Sequence, residues 1–153
     1  MKFLGSIHPG IVHFPIVLFI FYFIFESGGI LLKKEFLSKA SYIILVAGLL
    51  AAIAAVLTGN QAQELVKQFI KTNTGEYLSL VERHEQYATF VLWYFFSVLI
   101  FRTYLLVKKK FTGYIRFVFI VLGLFGSFLI FKAGSLGGEL VFRYGIGTQL
   151  LGK

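Results

Sequence analysis

Apolar residues gather into four long runs along the chain, and polar residues collect in the three segments that separate them. The runs cover 11–32, 42–59, 87–107 and 114–131. Each approaches the roughly 20 residues that a helix needs to cross about 30 Å of hydrocarbon. The pattern predicts an all-α protein: an integral membrane bundle of four transmembrane helices, forming one domain over 1–153. No internal repeat is visible.

The separating segments differ in charge. Lys33-Lys34-Glu35-Phe36-Leu37-Ser38-Lys39 and Lys108-Lys109-Lys110-Phe111-Thr112-Gly113 are short and basic, whereas the middle segment mixes Glu64, Lys67, Lys71, Glu76, Glu82, Arg83 and Glu85. The positive-inside rule puts the two short loops in the cytoplasm, and therefore both termini and the middle segment outside. The expected location is the inner (cytoplasmic) membrane. In the middle segment Asn60 is a candidate cap for a short amphipathic helix on the outer surface, with Leu65, Val66, Phe69 and Ile70 at helical spacing and an end near Thr72-Asn73-Thr74-Gly75. From Glu76 no breaker occurs before Thr112-Gly113, so the third helix is expected to begin outside the hydrocarbon. The first run is longer than a secretory h-region and lacks an Ala-x-Ala-like site, so it reads as a retained helix.

Composition agrees with the pattern. Of 153 residues, 58% are hydrophobic and 14% charged, and mean hydropathy is +0.82. A soluble chain of this size could not bury that much apolar surface. The net charge of +8 lies beside the apolar runs, so it reads as a topology signal and argues against nucleic acid. Without cysteine there is no thiolate metal site and no covalent haem attachment. Hydrolysis and group transfer are disfavoured, because the chain also lacks aspartate and any phosphate-cradling loop.

All three histidines fall at one end of the runs. His8 and His13 open the first in Ile7-His8-Pro9-Gly10-Ile11-Val12-His13-Phe14-Pro15, and His84 precedes the third in Glu82-Arg83-His84-Glu85-Gln86-Tyr87. Ionisable side chains at membrane depth are costly and face the bundle interior. His13 and His84, at matching depth on different helices, are therefore candidate ligands of one group. A haem b with two axial imidazoles needs no cysteine and fits between bundle helices. A bare metal ion, or imidazoles with purely polar roles, are the alternatives. Small residues that would admit a flat ring include Gly48 beside Ala47 on the second helix and Gly126 on the fourth, although such residues also serve ordinary helix packing. His8 is five residues from His13, hence on another face of a regular helix, and Pro9 marks the expected helix start. Arg143 follows a glycine-rich stretch, Gly134 to Gly138, expected to form turns, and could pair with a haem propionate. Glu26 and Arg102, each alone in its run, are candidates for an interhelical ion pair; a proton relay at Glu26 is the sharper alternative.

The string His8-Pro9-x-x-Val12-His13-Phe14-Pro15, with Gly59 closing helix two, His84 opening helix three and Gly137-Gly138-x-Leu140-Val141-x-x-x-Gly145-x-Gly147 after helix four, resembles the bacterial membrane-protein family called domain of unknown function 2231. Phe142 stands where that family's terminal motif implies a tyrosine. The resemblance implies a small four-helix membrane protein, sometimes fused or adjacent to redox proteins, and directs attention to His8, His13, Gly59, His84 and Gly138. The expected function is haem b-dependent electron transfer at the outer, periplasmic face, as a subunit of a redox complex exchanging electrons with quinone or a periplasmic cytochrome. A non-enzymatic accessory subunit packed against partner membrane subunits, a homo-oligomer, or a metal-binding membrane protein are the alternatives. A small transporter would need more helices than one copy provides.

Overall fold

A computed structural model describes residues 2–69 and 75–145. Its helices are α1 (Lys2–Ile11), α2 (His13–Leu31), α3 (Glu35–Phe69), α4 (Gly75–Val107) and α5 (Ile115–Tyr144), and no strand occurs among the described residues. Four stretches are long and apolar enough to cross a membrane: Gly5–Leu31, Glu35–Glu64, Leu78–Val107 and Ile115–Tyr144. Helices suit that setting because every backbone N–H and C=O within them is paired without water.

The first span is broken at Val12, between α1 and α2. Pro15 accounts for the break: its ring clashes with the carbonyl four residues earlier, that of Ile11, and it has no N–H to give. Pro9 does not start the helix as expected but sits inside α1. The stretch expected as a separate surface helix instead continues α3 without interruption past Gly59 and Asn60 to Phe69. One glycine costs a helix only about 1 kcal/mol, too little to end it. The side chains of Leu65, Val66 and Phe69 and the stop at 70–74 lie outside the described residues. The stretch from Gly134 to Gly138 is likewise helical, within α5, which ends at Gly145 in the left-handed conformation, φ 64°. Gly147 lies outside the described residues.

Around the bundle, α2 packs on α3 and α5, and α4 packs on the same two helices, while α1 lies against α3. α2 and α4 therefore face one another across a diagonal, parallel to each other and without backbone contact. What fills that diagonal changes along its length. At the lysine end, Glu26 of α2 and Arg102 of α4 form a fully buried ion pair. At mid-depth Phe19 and Phe95 stack face to face, with ring centroids 3.8 Å apart. At the histidine end the diagonal stays open.

These residues expose a repeat that the sequence hides. His8, Phe19 and Glu26 are spaced eleven and then seven residues apart, and so are His84, Phe95 and Arg102, 76 residues later. Phe19 packs on Gly48 and Phe95 on Gly126; His8 packs on Gly59 and His84 on Gly137. Each glycine of the second pairing lies 78 residues after its counterpart. Both lysine turns also close alike: Lys33 and Lys109 take positive φ, 55° and 53°, and Lys34 and Lys110 donate to the carbonyls of Gly29 and Leu105. The bundle is thus one helical hairpin built twice. The expectation of no repeat fails because the two halves share only the residues at these contacts.

Candidate functional site

At the histidine end, all four spans line one cavity of about 630 Å³. Its floor is Phe19, held by the stack with Phe95. The walls are apolar and small: Ala52, Ala55 and Gly59 from α3, Ala88 from α4, and Ala133, Gly134, Gly137 and Gly138 from α5. His8, His13 and His84 all line it. Residues five apart reach one cavity because of the break at Val12; on an unbroken helix they would diverge by about 140°.

His84, half-buried on α4, directs Nδ1 to the carbonyl oxygen of Ala133 at 3.1 Å. A carbonyl only accepts, so the proton is on Nδ1. In the neutral ring, Nε2 then carries a free lone pair. His8, half-buried on α1, places Nδ1 3.1 Å from the hydroxyl of Thr58. That hydroxyl gives its own proton to the carbonyls of Ala54 and Ala55, at 2.9 and 3.0 Å, and so accepts from the imidazole. His8 is held in the same tautomer as His84, with Nε2 again free. The glycines beneath the rings are required: a Cβ at Gly59 would lie 3.0 Å from Cε1 of His8, and one at Gly137 2.9 Å from Cε1 of His84. The two imidazoles are near enough to interact electrostatically.

His13, the first residue of α2, is exposed at the cavity mouth. The imidazole that pairs in depth and burial with His84 is therefore that of His8. Gly48 and Gly126 do not make room for a ligand, as their small size led us to expect; the Phe19 and Phe95 rings fill the space against them. The open wall is instead at Gly134 and Gly138, where a Cβ would meet nothing within 4 Å. Arg143 stands off the cavity and pairs with Glu139 at 3.0 Å and Glu76 at 3.7 Å, on the surface where α4 begins and α5 ends. Its expected propionate contact meets two competing carboxylates. Phe142 is 93% exposed, so the position where a tyrosine was implied does not face the cavity. Among the described residues, no three His, Asp or Glu side chains converge as a site for a bare metal ion.

The lysine end is closed. Arg102 Nη1 contacts Glu26 and lies 3.2 Å from the Ser41 hydroxyl, while Nη2 donates to the Ser38 carbonyl at 2.6 Å. Ser41 also donates to Glu26, and the guanidinium lies 4.8 Å from the Phe111 ring centroid. Gly29 permits this: a Cβ there would come within 2.7 Å of the Ser38 backbone. The expected ion pair is formed, and its polar partners come from α3.

A family model described as a predicted membrane protein, DUF2231, matches residues 5–150. The chain belongs to the DUF2231 family. No curated protein and no solved structure matches it. The family's conserved description stops at the membrane, so the chemistry of this DUF2231 protein has to be read from the cavity. Sequence reasoning missed Thr58 and Ala133, which orient the two imidazoles. Thr58 looks like any helical threonine bonded back to its own turn, and the partner at Ala133 is a backbone oxygen, which no side-chain pattern signals.

Proposed function

We propose that this DUF2231 protein holds a haem b between His8 and His84 and passes single electrons as a subunit of a membrane redox complex. The observation that carries the reading is the pair of imidazoles, one from each half of the bundle, each with Nδ1 satisfied and Nε2 free toward the same apolar cavity. The cavity's volume is within the 300–1,000 Å³ common for small-molecule and cofactor sites. Two axial imidazoles suffice for haem iron, which fits a site with no third ligand for a bare ion. Bound there, a haem supplies one-electron chemistry.

The chain's own residues do the rest. His8 and His84 supply the nitrogen ligands, and Thr58 and the Ala133 carbonyl keep the rings from turning. Gly134 and Gly138 leave a wall open to a flat ring, and Phe19 limits its depth. His13, at the mouth, is placed to meet whatever approaches from outside the bundle. The basic loops Lys33-Lys34 and Lys108–Lys110 favour a cytoplasmic lysine end. The cavity and both termini then face the outer side of the inner membrane, where a quinone or a periplasmic cytochrome can exchange electrons with it.

The test is the visible spectrum of protein purified in detergent from haem-replete cells. A Soret band should be present and should sharpen, with a resolved α band, on reduction by dithionite. A colourless protein co-purifying with a stoichiometric partner would sink the haem reading and favour the accessory-subunit one.

A further inference from the structure

The two halves of the bundle hold their imidazoles by different means. In the second half His84 Nδ1 bonds the Ala133 carbonyl directly. The counterpart of Ala133, 78 residues earlier, is Ala55. There a hydroxyl intervenes: His8 Nδ1 meets Thr58 Oγ1, and Thr58 Oγ1 meets the Ala55 carbonyl. The counterpart of Thr58 is Leu136, which has no polar side-chain atom, so the second half cannot build this relay.

We propose that Thr58 is a positioning residue of the cavity, fixing His8 in the tautomer that presents Nε2 to a ligand. A helical threonine donates its proton to the carbonyl three or four residues back, and here those are Ala55 and Ala54. Its oxygen then offers the neighbouring ring only lone pairs, so Nδ1 must carry the proton. Thr58 is 5% exposed, which leaves little access for water to replace it. The relay also makes the two imidazoles unequal: one leans on a hydroxyl and the other on a carbonyl. Groups that hydrogen-bond the far nitrogen of a ligand histidine set its orientation and basicity. The role of Thr58 toward a ligand rests on the bis-imidazole reading above; the tautomer does not.

Two measurements separate these. Nitrogen-15 NMR of histidine-labelled, haem-free protein, at a pH where imidazole is neutral, should show His8 and His84 each with bare Nε2, assigned through His8→Ala, His13→Ala and His84→Ala. Thr58→Val keeps the volume, so the ring cannot drop onto the Ala55 carbonyl; it should turn the His8 signals into a mixture of tautomers while those of His84 stay fixed. Thr58→Ser should restore them. A wild-type His8 protonated on Nε2, or a Thr58→Val spectrum identical to wild type, would overturn the inference. Titration with haem b should then show affinity reduced on the order of 10-fold in Thr58→Val, recovered in Thr58→Ser. An unchanged affinity overturns the positioning role toward the ligand. If wild-type protein binds no haem but the NMR result holds, the haem reading fails and the tautomer-fixing role of Thr58 stands.

Discussion

At the scale of single residues, this protein is organised by what its glycines receive. Gly48 and Gly126 take phenyl rings, and Gly59 and Gly137 take imidazoles. Gly126→Ala would drive a methyl group into Phe95; overpacking of this kind costs about 1–3 kcal/mol, to be read as a lower melting temperature in detergent. Gly137→Ala should push the His84 ring off the Ala133 carbonyl, and the same NMR spectrum reads this as loss of the single His84 tautomer. At the other end, Arg102→Met leaves Glu26 buried without its charge partner. A loss of about 3–5 kcal/mol is expected, and the double change Glu26→Leu with Arg102→Met should recover most of it in the same unfolding titration. At this scale the sequence was partly legible. Histidines and lone charges inside apolar runs announce themselves, because lipid makes them expensive. What lies against a glycine depends on helix rotation, which composition does not encode; that is why Gly48 and Gly126 read as cofactor space and proved to be ring sockets.

At the scale of elements, the apolar runs marked where hydrocarbon lies but not where helices stop. Asn60, Gln61, Gln63 and Glu64 end the second apolar run, yet α3 continues through them. A polar residue leaving the hydrocarbon loses nothing by staying helical. The glycines of α5 misled in the same way: they read as turns, but in a packed helix they serve close approach. The one real interruption, at Val12, follows from Pro15. Pro15→Ala should let α1 and α2 merge into one helix and swing His8 away from Thr58. The expected result is loss of the single His8 tautomer with no drop in melting temperature; an unchanged His8 signal would mean that the break has another cause.

At the scale of the whole molecule, two hairpins meet along a diagonal that is sealed by charge at one end, stacked aromatics at mid-depth and nothing but small side chains and imidazoles at the other. That arrangement explains why a site exists at the histidine end alone. The four-span bundle was legible from hydropathy; the doubling was not, because the halves agree only where side chains interlock. Orientation is testable on the same scale, since the chain has no native cysteine. Lys34→Cys and Lys109→Cys should resist a membrane-impermeant thiol reagent applied from the outer side, and Phe142→Cys should react; the reverse pattern would put the cavity in the cytoplasm.

The most direct measurement is haem content by pyridine haemochrome, on purified wild-type protein and on the three histidine-to-alanine variants. The account predicts stoichiometric haem b in wild type and His13→Ala, and its loss in both His8→Ala and His84→Ala. Wild-type protein without extractable haem, or a His8→Ala variant that keeps its haem while His13→Ala loses it, would contradict it.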